Sequence, residues 1–254
     1  MRAPTDRTNN MTRSAAAVVA LSLLIAGCAS APRNPDPRDP WEGFNRVSYQ
    51  VTDAVDRAVL KPTAKGYRKV APQFVETGVS NFFSNLNQPT VIVNNLLQAK
   101  FRPALNDTGR FLLNSTLGLG GLLDPASAAG LDRNDEDFGQ TLGKWGVPAG
   151  PYLWIPFLGP STGRDAVGQG VDAFMDPVNY VERDRIRYSL TALDIVDSRA
   201  RQLDLEDTLE SAFDRYAFIR NAYLQQREYQ VKDGDVPPPP IDDEPLEDPE
   251  PDAK

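Results

Sequence analysis

TGVSNFFSNLNQPTVIVNNLLQA, residues 77–99, holds no charged residue, which is unusual for 23 consecutive residues and constrains how the chain folds. It carries seven amide side chains and a central Pro89, which make it too polar for a lone helix surrounded by lipid. We expect Pro89 to restart the chain, so that the stretch forms a pair of helices with aromatic faces at Phe82 and Phe83 and uncharged polar faces. Such helices suit either a polar cavity at membrane depth or a buried helical hairpin in a soluble core.

Residues 145–163 form a second stretch without charge, and its four prolines and four glycines exclude a long helix. Aromatic side chains crowd this segment, and tryptophan and tyrosine favour the headgroup level of a bilayer. We predict an aromatic loop that dips into a membrane interface or packs on a membrane partner. A proline-rich loop folded over the core is the alternative. The predicted membrane-interface residues of the two stretches are Phe82, Phe83, Trp145, Tyr152, Trp154 and Phe157.

The rest of the body is predicted to be helical, and little period-two alternation occurs, so the predicted fold class is all-α. Asp39 is placed to cap a first helix, with Pro40 in its first turn. The same signature recurs at Asp124-Pro125 and Asp176-Pro177. Other helical segments are expected to open at Pro62 and Pro72 and to cover 103–117, 183–202 and 205–231. The glycine cluster at 117–123 lacks a dinucleotide fingerprint and indicates close helix packing or an apolar hinge.

The first 27 residues are typical of a secretory signal peptide, since a positive start precedes an apolar run at 15–26 and small residues. The run is too short to span a bilayer. Met11 is a better start than Met1, because an acidic residue between them is unusual in a leader. Cys28 follows at the cut and resembles the acylated cysteine of a bacterial lipobox; an ordinary signal peptide is the alternative. Residues 28–38 are then expected to form a lipidated tether. The resemblance to bacterial lipoproteins implies the outer membrane, because Ala29 and Ser30 follow the cysteine in place of an acidic residue.

The net charge of −8 is concentrated at the C-terminus. Residues 233–254 hold nine acidic residues and one lysine, so the remainder of the chain is neutral. The same segment holds seven prolines and few apolar residues, which predicts a disordered acidic tail. Because no basic stripe faces phosphates anywhere, we expect no nucleic-acid partner.

The amino-acid composition also excludes several kinds of catalytic and metal-binding site. Histidine is absent, and Cys28 is the single cysteine. A histidine base, an imidazole metal ligand and a disulfide are therefore excluded, and no common nucleophile or phosphate-loop motif occurs. A pair of carboxylates as in glycosidases stays open. We expect a protein that is not an enzyme and has no cofactor or metal.

Several motifs, taken in order, resemble the MlaA (VacJ) lipoproteins. DPWEGFNR at 39–46 resembles the opening motif of that family, and SNFFSNL at 80–86, RFLLNSTLGLGG at 110–121 and FGQTLGKWGV at 138–147 resemble later ones. GPYLWIPFLGPSTGRD at 150–165 is the most specific match, and DPVNY follows at 176–180. The resemblance covers about 39–223 and places a helical family domain at 39–232.

The resemblance implies a ring-shaped, all-helical protein embedded in the inner leaflet of the outer membrane, with a polar central channel. Family members work beside trimeric porins, remove phospholipid misplaced in the outer leaflet and pass it to a periplasmic carrier protein. This implies a role in outer-membrane lipid asymmetry. A structural lipoprotein that scaffolds porin or envelope assembly without lipid transfer is the alternative.

Five residues are candidates for a channel or gate through their match to the family motifs: Gly43, Phe44, Asn45, Arg164 and Asp165. Gly43, Phe44 and Asn45 follow the tether and are predicted to shape the opening. Arg164 and Asp165 are predicted to contact headgroups or channel water. Two simpler interpretations remain: Phe44 is the first core residue of its helix, and Asp165 is an acid favoured by a helix dipole.

Overall fold

The computed structural model describes residues 36–236. The predicted signal peptide, the choice between Met1 and Met11, the lipidated Cys28, residues 29–35 of the tether and 237–254 of the tail lie outside the described residues. The regular secondary structure within 36–236 is helical apart from one β-hairpin. None of these helices combines the length and the apolar character that crossing a bilayer requires.

The first helices form one nearly continuous rod. Helix α1, Glu42–Val55, passes through a π-helical turn at Asp56–Leu60 into α2, Lys61–Val70. An α-helical segment opens at Lys61 with Pro62 in its first turn, which confirms the predicted opening, although the π-helical turn joins it to α1 without a break. Asp39 does not cap α1 with its side chain, because its carboxylate is used in contacts with other elements.

The charge-free stretch forms a single helix. Helix α3 runs from Gln73 to Leu97, straight through Pro89, so the predicted pair of helices is wrong. A proline inside a helix costs about 3 kcal/mol, and here side chains on both sides of it are held by neighbours. Asn85 Nδ2 donates to Ser115 Oγ at 3.0 Å before the proline, and Asn94 Nδ2 donates to Asp172 Oδ1 at 3.2 Å after it. Tertiary contacts keep the helix continuous where local preference would break it.

Helix α4, Phe101–Thr116, follows the predicted range within two residues and packs beside α3 as the second arm of a hairpin. The glycine cluster after it packs closely, as one of the two interpretations predicted. A Cβ on Gly121 would lie 2.5 Å from Cβ of Asn85, and its φ of +98° belongs to the left-handed region. The glycine loop is therefore pressed against α3.

The middle of the chain contains short elements: α5 at Pro125–Ala128, α6 at Phe138–Lys144, strands β1 at Tyr152–Ile155 and β2 at Gly159–Thr162, α7 at Gly163–Met175, and a 3-10 turn at Pro177–Tyr180. The side chains of Asp124 and Asp176 accept backbone N–H groups at their element starts, which confirms both predicted cap signatures.

The aromatic loop predicted at 145–163 contains an antiparallel hairpin instead, with Tyr152 opposite Thr162 and Ile155 opposite Gly159. The fold is thus mostly helical with few strands, which is consistent with the predicted all-α class. The strands are four residues long, too short for an alternating pattern to stand out, and the hairpin is held by other elements. The backbone N–H of Tyr152 donates to the carbonyl of Arg38 at 2.8 Å.

The C-terminal third contains helix α8 at Asp184–Gln202, a 3-10 turn at Leu203–Leu205, α9 at Glu206–Ser211 and α10 at Arg215–Val231. The predicted second long helix is therefore interrupted at residues 212–214, where Asp214 caps α10 by accepting the N–H of Ala217. Asp233, assigned from the sequence to the tail, lies against the body. It forms ion pairs with Lys100 and Lys144, the latter at 2.8 Å.

Candidate functional site

Polar side chains fill the inward faces of three long helices, while the outward faces are apolar. On α3 every buried side chain except Val91 is polar, and on α4 every one except Ala104. We call this arrangement inside-out, because helices of water-soluble proteins bury their apolar face. The large apolar side chains that α1, α3 and α4 expose are Phe44, Val47, Val51, Phe74, Val75, Val93, Leu96, Leu97, Phe101, Leu105 and Leu112. The buried polar set, here called the polar interior, is Glu42, Asn45, Ser48, Asn85, Gln88, Thr90, Asn94, Asn95, Asp107, Arg110 and Asn114.

Amide side chains of α3 bind the neighbouring helices. Asn95 Nδ2 donates to Asp107 Oδ2 of α4 at 2.9 Å, while Asn94 Nδ2 donates to Asp172 Oδ1 of α7 at 3.2 Å. Asn94 Oδ1 accepts the hydroxyl of Thr141 on α6 at 2.8 Å. A buried polar group without a partner costs about 1–3 kcal/mol, so these bonds fix the rotation of α3 and keep its amides inside.

The buried Arg110 organises the far end of α4. Its Nη2 lies 2.9 Å from Asp124 Oδ2, and its Nη1 donates to the carbonyl of Leu131 at 2.6 Å. Asn114 Nδ2 reaches the same carboxylate, at 2.9 Å from Asp124 Oδ1. Removing one partner of a buried ion pair leaves an uncompensated charge, so this cluster holds the loop before α5 in place.

The three predicted gate residues at the start of α1 face different ways. Phe44 lies on the outward face, Gly43 is half-buried and Asn45 is fully buried. Of the three, Asn45 alone belongs to the polar interior, because helical geometry turns consecutive side chains by about 100°. A common role in a gate stays a prediction.

Asn45 connects α1 to the β-hairpin. Its Nδ2 donates to Asp39 Oδ1 at 2.7 Å and to the carbonyl of Tyr152 at 3.1 Å. Its Oδ1 accepts the backbone N–H of Trp154 at 2.9 Å. Both the nitrogen and the oxygen of this amide therefore form hydrogen bonds, and Asn45 holds α1 against strand β1 in this conformation.

Arg164 and Asp165 lie together at the start of α7, and Asp165 is buried. Arg227 of α10 donates to Asp165 Oδ1 at 2.8 Å and to Asp137 Oδ2 at 2.6 Å, and the hydroxyl of Tyr223 donates to Asp165 Oδ2 at 2.8 Å. Burial alone would raise the pKa of Asp165, but the hydrogen bonds and charge of Arg227 lower it to about 2. The carboxylate therefore stays ionised and ties α7 to α10.

Helix α10 carries the residues that sequence reasoning missed. Tyr216 OH donates to Asp39 Oδ2 at 2.5 Å, and Arg220 Nη1 donates to the same oxygen at 3.1 Å. Tyr223 and Arg227 continue the same face toward Asp165. Positions 216, 220, 223 and 227 are spaced by four, three and four, which places two arginines on the tyrosine face. That spacing is the signal in the sequence that could have indicated these contacts.

The predicted membrane-interface residues divide into two groups. Trp145 and Phe157 are exposed, and Phe82 and Phe83 are half-buried with ring centroids 5.3 Å apart. Tyr152 and Trp154 are buried instead.

Both belong to the aromatic cluster, defined as Tyr49, Tyr152, Trp154, Tyr216, Ile219, Tyr223 and Leu224. Residues Tyr152 and Trp154 share one face of β1, and the contacts of Asn45 turn that face toward α10. Lipid contact of these two side chains is therefore incompatible with this structure.

A cleft of about 180 Å³ opens between α3 and α8. Its lining residues are Gln73, Glu76, Thr77, Ser80, Asn81, Asp197, Ala200 and Arg201. The cleft lies at the first turns of α3, on the side of that helix that faces α8, and it is lined almost entirely by polar side chains. We refer to it below as the α3–α8 cleft.

The fold and site together define a mostly helical protein in which α1, α3 and α4 enclose polar side chains and expose apolar ones, with one β-hairpin packed among the helices. The chain belongs to the MlaA lipoprotein family, whose model matches residues 37–230. The resemblance found in the sequence motifs is thereby confirmed.

Relatives and a solved structure agree with this assignment. The intermembrane phospholipid transport system lipoprotein MlaA of Escherichia coli (strain K12) is 35% identical over 222 residues, which cover 85% of this chain and 88% of the relative. The protein of the same name in Haemophilus influenzae is 34% identical, over 84% of this chain and 88% of the relative. A solved structure, described as the structural basis for maintenance of bacterial outer membrane lipid asymmetry, superposes with a TM-score of 0.68 at 34% identity, covering 76% of this chain and 98% of that one.

Proposed function

We propose that this protein is an outer-membrane lipoprotein that removes mislocalised phospholipid from the outer leaflet and passes it to a periplasmic carrier, which maintains lipid asymmetry. The observation that carries the proposal is the inside-out arrangement of α1, α3 and α4. Membership of the MlaA lipoprotein family supports it, as do the names of the relatives in Escherichia coli and Haemophilus influenzae.

The anchor in this proposal is an acylated Cys28, exposed after removal of the first 27 residues. Anchored acyl chains and an apolar exterior act together, since stable membrane attachment needs more than one signal. The exposed Phe157 and Trp145 are then the contacts with the bilayer interface, where large rings are favoured.

The polar interior is the proposed route for the headgroup. Dragging a charged headgroup through hydrocarbon is heavily penalised. A ring of helices that presents amides inward and apolar side chains outward lowers that penalty while the acyl chains remain in an apolar environment. Moving a lipid breaks no covalent bond, so the proposal includes no catalytic residue, cofactor or metal.

The proposed partners are a trimeric porin, beside which the protein sits, and a soluble periplasmic lipid carrier that receives the phospholipid. Helices α8 and α10 are the proposed side for the carrier, because α8 exposes charged side chains such as Asp184 and Arg185 near its start. The acidic residues 237–254 have no role in the proposal.

Deletion of the gene, followed by labelling of surface phospholipid amines with a membrane-impermeant reagent, tests the proposal. We expect outer-leaflet phospholipid to accumulate and the intact gene to restore the normal leaflet. A normal leaflet together with disturbed porin trimers would instead establish the scaffolding function.

Complementation with point variants sharpens the test. Asn95→Leu removes a polar contact of the interior, and Leu96→Ala changes the outward face one residue away. We expect Asn95→Leu to restore lipid asymmetry less well than Leu96→Ala at equal protein levels. Equal restoration by both variants would contradict a polar route along α3.

A further inference from the structure

The α3–α8 cleft holds a guanidinium group that is positioned by its neighbours. Arg201 Nη1 donates to Ser80 Oγ at 2.8 Å and pairs with Asp197, and its Nη2 donates to Ser198 Oγ at 2.9 Å. The Asp197 carboxylate is buried and also accepts the hydroxyl of Tyr67 at 3.1 Å. Serine and aspartate contacts thus hold the plane of the guanidinium at the wall of the cleft.

These contacts leave one edge of the Arg201 guanidinium without an acceptor among residues 36–236. The edge includes Nε–H, which the planar, permanently charged guanidinium can donate to a phosphate oxygen. About half of the side chain is exposed, 49% by area, so a ligand in the cleft can reach it.

A carboxylate of α3 lies across the cleft from Arg201, which belongs to α8. Glu76 belongs to α3, lines the cleft and is half-buried. Within the described part of the chain it forms no ion pair. With Asp197 included, the cleft holds one carboxylate more than it holds guanidinium groups, which disfavours an anionic ligand and suits one with its own positive charge.

The size of the cleft restricts the ligand further. Pockets for drug-sized molecules measure about 300–1,000 Å³, so 180 Å³ accommodates a headgroup but not two acyl chains. Exposed Val70 and Phe74 lie next to the cleft in sequence and provide an apolar surface for the chains.

Resting on the proposed function, we propose that the α3–α8 cleft binds the headgroup of an amine-bearing zwitterionic phospholipid such as phosphatidylethanolamine. Arg201 binds the phosphate and Glu76 binds the primary ammonium. The cleft thereby selects zwitterionic over anionic phospholipid, since an anionic headgroup has no ammonium for Glu76.

The test uses the full-length lipidated protein, purified in detergent and equilibrated with vesicles of equal phosphatidylethanolamine and phosphatidylglycerol content. Bound lipids are extracted after re-isolation and quantified. We expect Glu76→Gln to lower the ratio of bound ethanolamine lipid to glycerol lipid about threefold to fivefold. Arg201→Gln should lower the binding of both lipids about tenfold, since both carry the phosphate.

Glu182→Gln and Arg185→Gln are the matched controls, because both residues are exposed on another part of the surface. They should leave the amounts and the ratio unchanged. An unchanged ratio in Glu76→Gln, with lipid still bound, would overturn the headgroup site while leaving the proposed function intact. Failure of the unmodified protein to bind any phospholipid would overturn both.

Two further arms complete the test. Competition with soluble glycerophosphoethanolamine distinguishes a free headgroup from a lipid, and we expect it to displace bound lipid poorly; full displacement would overturn the lipid assignment. Should Arg201→Gln fail to fold, Glu76→Gln alone decides, because Glu76 forms no ion pair in the described structure.

Discussion

The α3–α4 hairpin and the aromatic cluster bury opposite kinds of side chain in one small protein. In the hairpin, amides and an ion pair lie inside and leucines lie outside. In the cluster, the rings of Tyr152, Trp154 and Tyr216 are buried, with Trp154 and Tyr49 packed edge to face at 4.9 Å. The aromatic cluster buries apolar rings, as water-soluble domains do. The α3–α4 hairpin buries polar side chains and exposes apolar ones, an arrangement that suits apolar surroundings.

The two regions therefore obtain their stability from different sources. Aromatic burial contributes through area removed from water, whatever surrounds the protein. The α3–α4 hairpin fully buries only two apolar side chains, Val91 and Ala104. It depends on satisfied hydrogen bonds, which are strong when paired and costly when broken. In water, the exposed leucines of the α3–α4 hairpin contribute no free energy of burial. We therefore associate this hairpin with lipid contact and the aromatic cluster with folding stability.

The largest effect is expected from Tyr216→Ala in the aromatic cluster. It removes a ring from a packed site and the hydroxyl that binds Asp39, so the free energy of unfolding should fall by about 3–5 kcal/mol. Urea unfolding in mild detergent measures it. Phe213→Ala, at a fully exposed ring, is the control and should change stability by less than about 0.5 kcal/mol. A loss no larger than that of the control would show that the cluster does not carry the fold.

The next effect is expected from Asn94→Leu in the hairpin. The substitution adds apolar character to the interior but leaves Asp172 and Thr141 without their shared partner. We expect a loss of about 1–3 kcal/mol in the same unfolding measurement. A stabilised protein would show instead that this interior behaves like that of the aromatic cluster and would remove the distinction between the two regions.

The third prediction separates the outward face from the fold. Leu105→Asn changes a side chain of α4 that is 75% exposed, so stability in detergent should change by less than about 0.5 kcal/mol. Binding of the non-acylated protein to vesicles should weaken about tenfold, because one leucine leaves the lipid. Co-sedimentation measures this. Leu205 is an exposed leucine outside the α3–α4 hairpin, so the Leu205→Asn variant should bind vesicles like the unmodified protein. An equal loss of vesicle binding in this variant would mean that the outward face of α4 is no more important for binding than the surface around Leu205.

The smallest effect is expected in the pH dependence of stability, through Asp165, which links α7 to Tyr223 of the aromatic cluster. The pKa of Asp165 is lowered to about 2, so its ionised form stabilises the fold above pH 4 and the contribution is lost as the pH falls toward 2. Between pH 5 and pH 3 this amounts to about 1 kcal/mol. Thermal unfolding of Asp165→Asn should show a flatter pH dependence than that of the unmodified protein over this range. Parallel curves would place the pH dependence in other carboxylates.

Part of the fold follows from local signals. Asp124-Pro125 and Asp176-Pro177 cap their elements as predicted, and α4 and α8 begin and end close to the predicted residues. These signals act within one turn of the chain, through a side-chain oxygen and the nearest free N–H groups. Local chemistry is sufficient there.

The candidate site was less predictable. Family motifs singled out Asn45 and Asp165, both of which are buried in hydrogen-bond networks. Their partners on α10 lie far along the chain, and no local pattern relates Asp165 to Arg227. The continuity of α3 through Pro89 has the same origin, since contacts with other helices outweigh a local penalty.

The helical character, the absence of histidine chemistry and the family all follow from the order of the amino acids. That order also determined which side chains share a helix face, because 3.6 residues per turn is a property of the backbone. Whether that face points inward was decided only by the tertiary structure, since rotation about a helix axis depends on the partners that meet each side. Here Asp107 and Asp172 receive the amides of α3, and they turn the leucines outward.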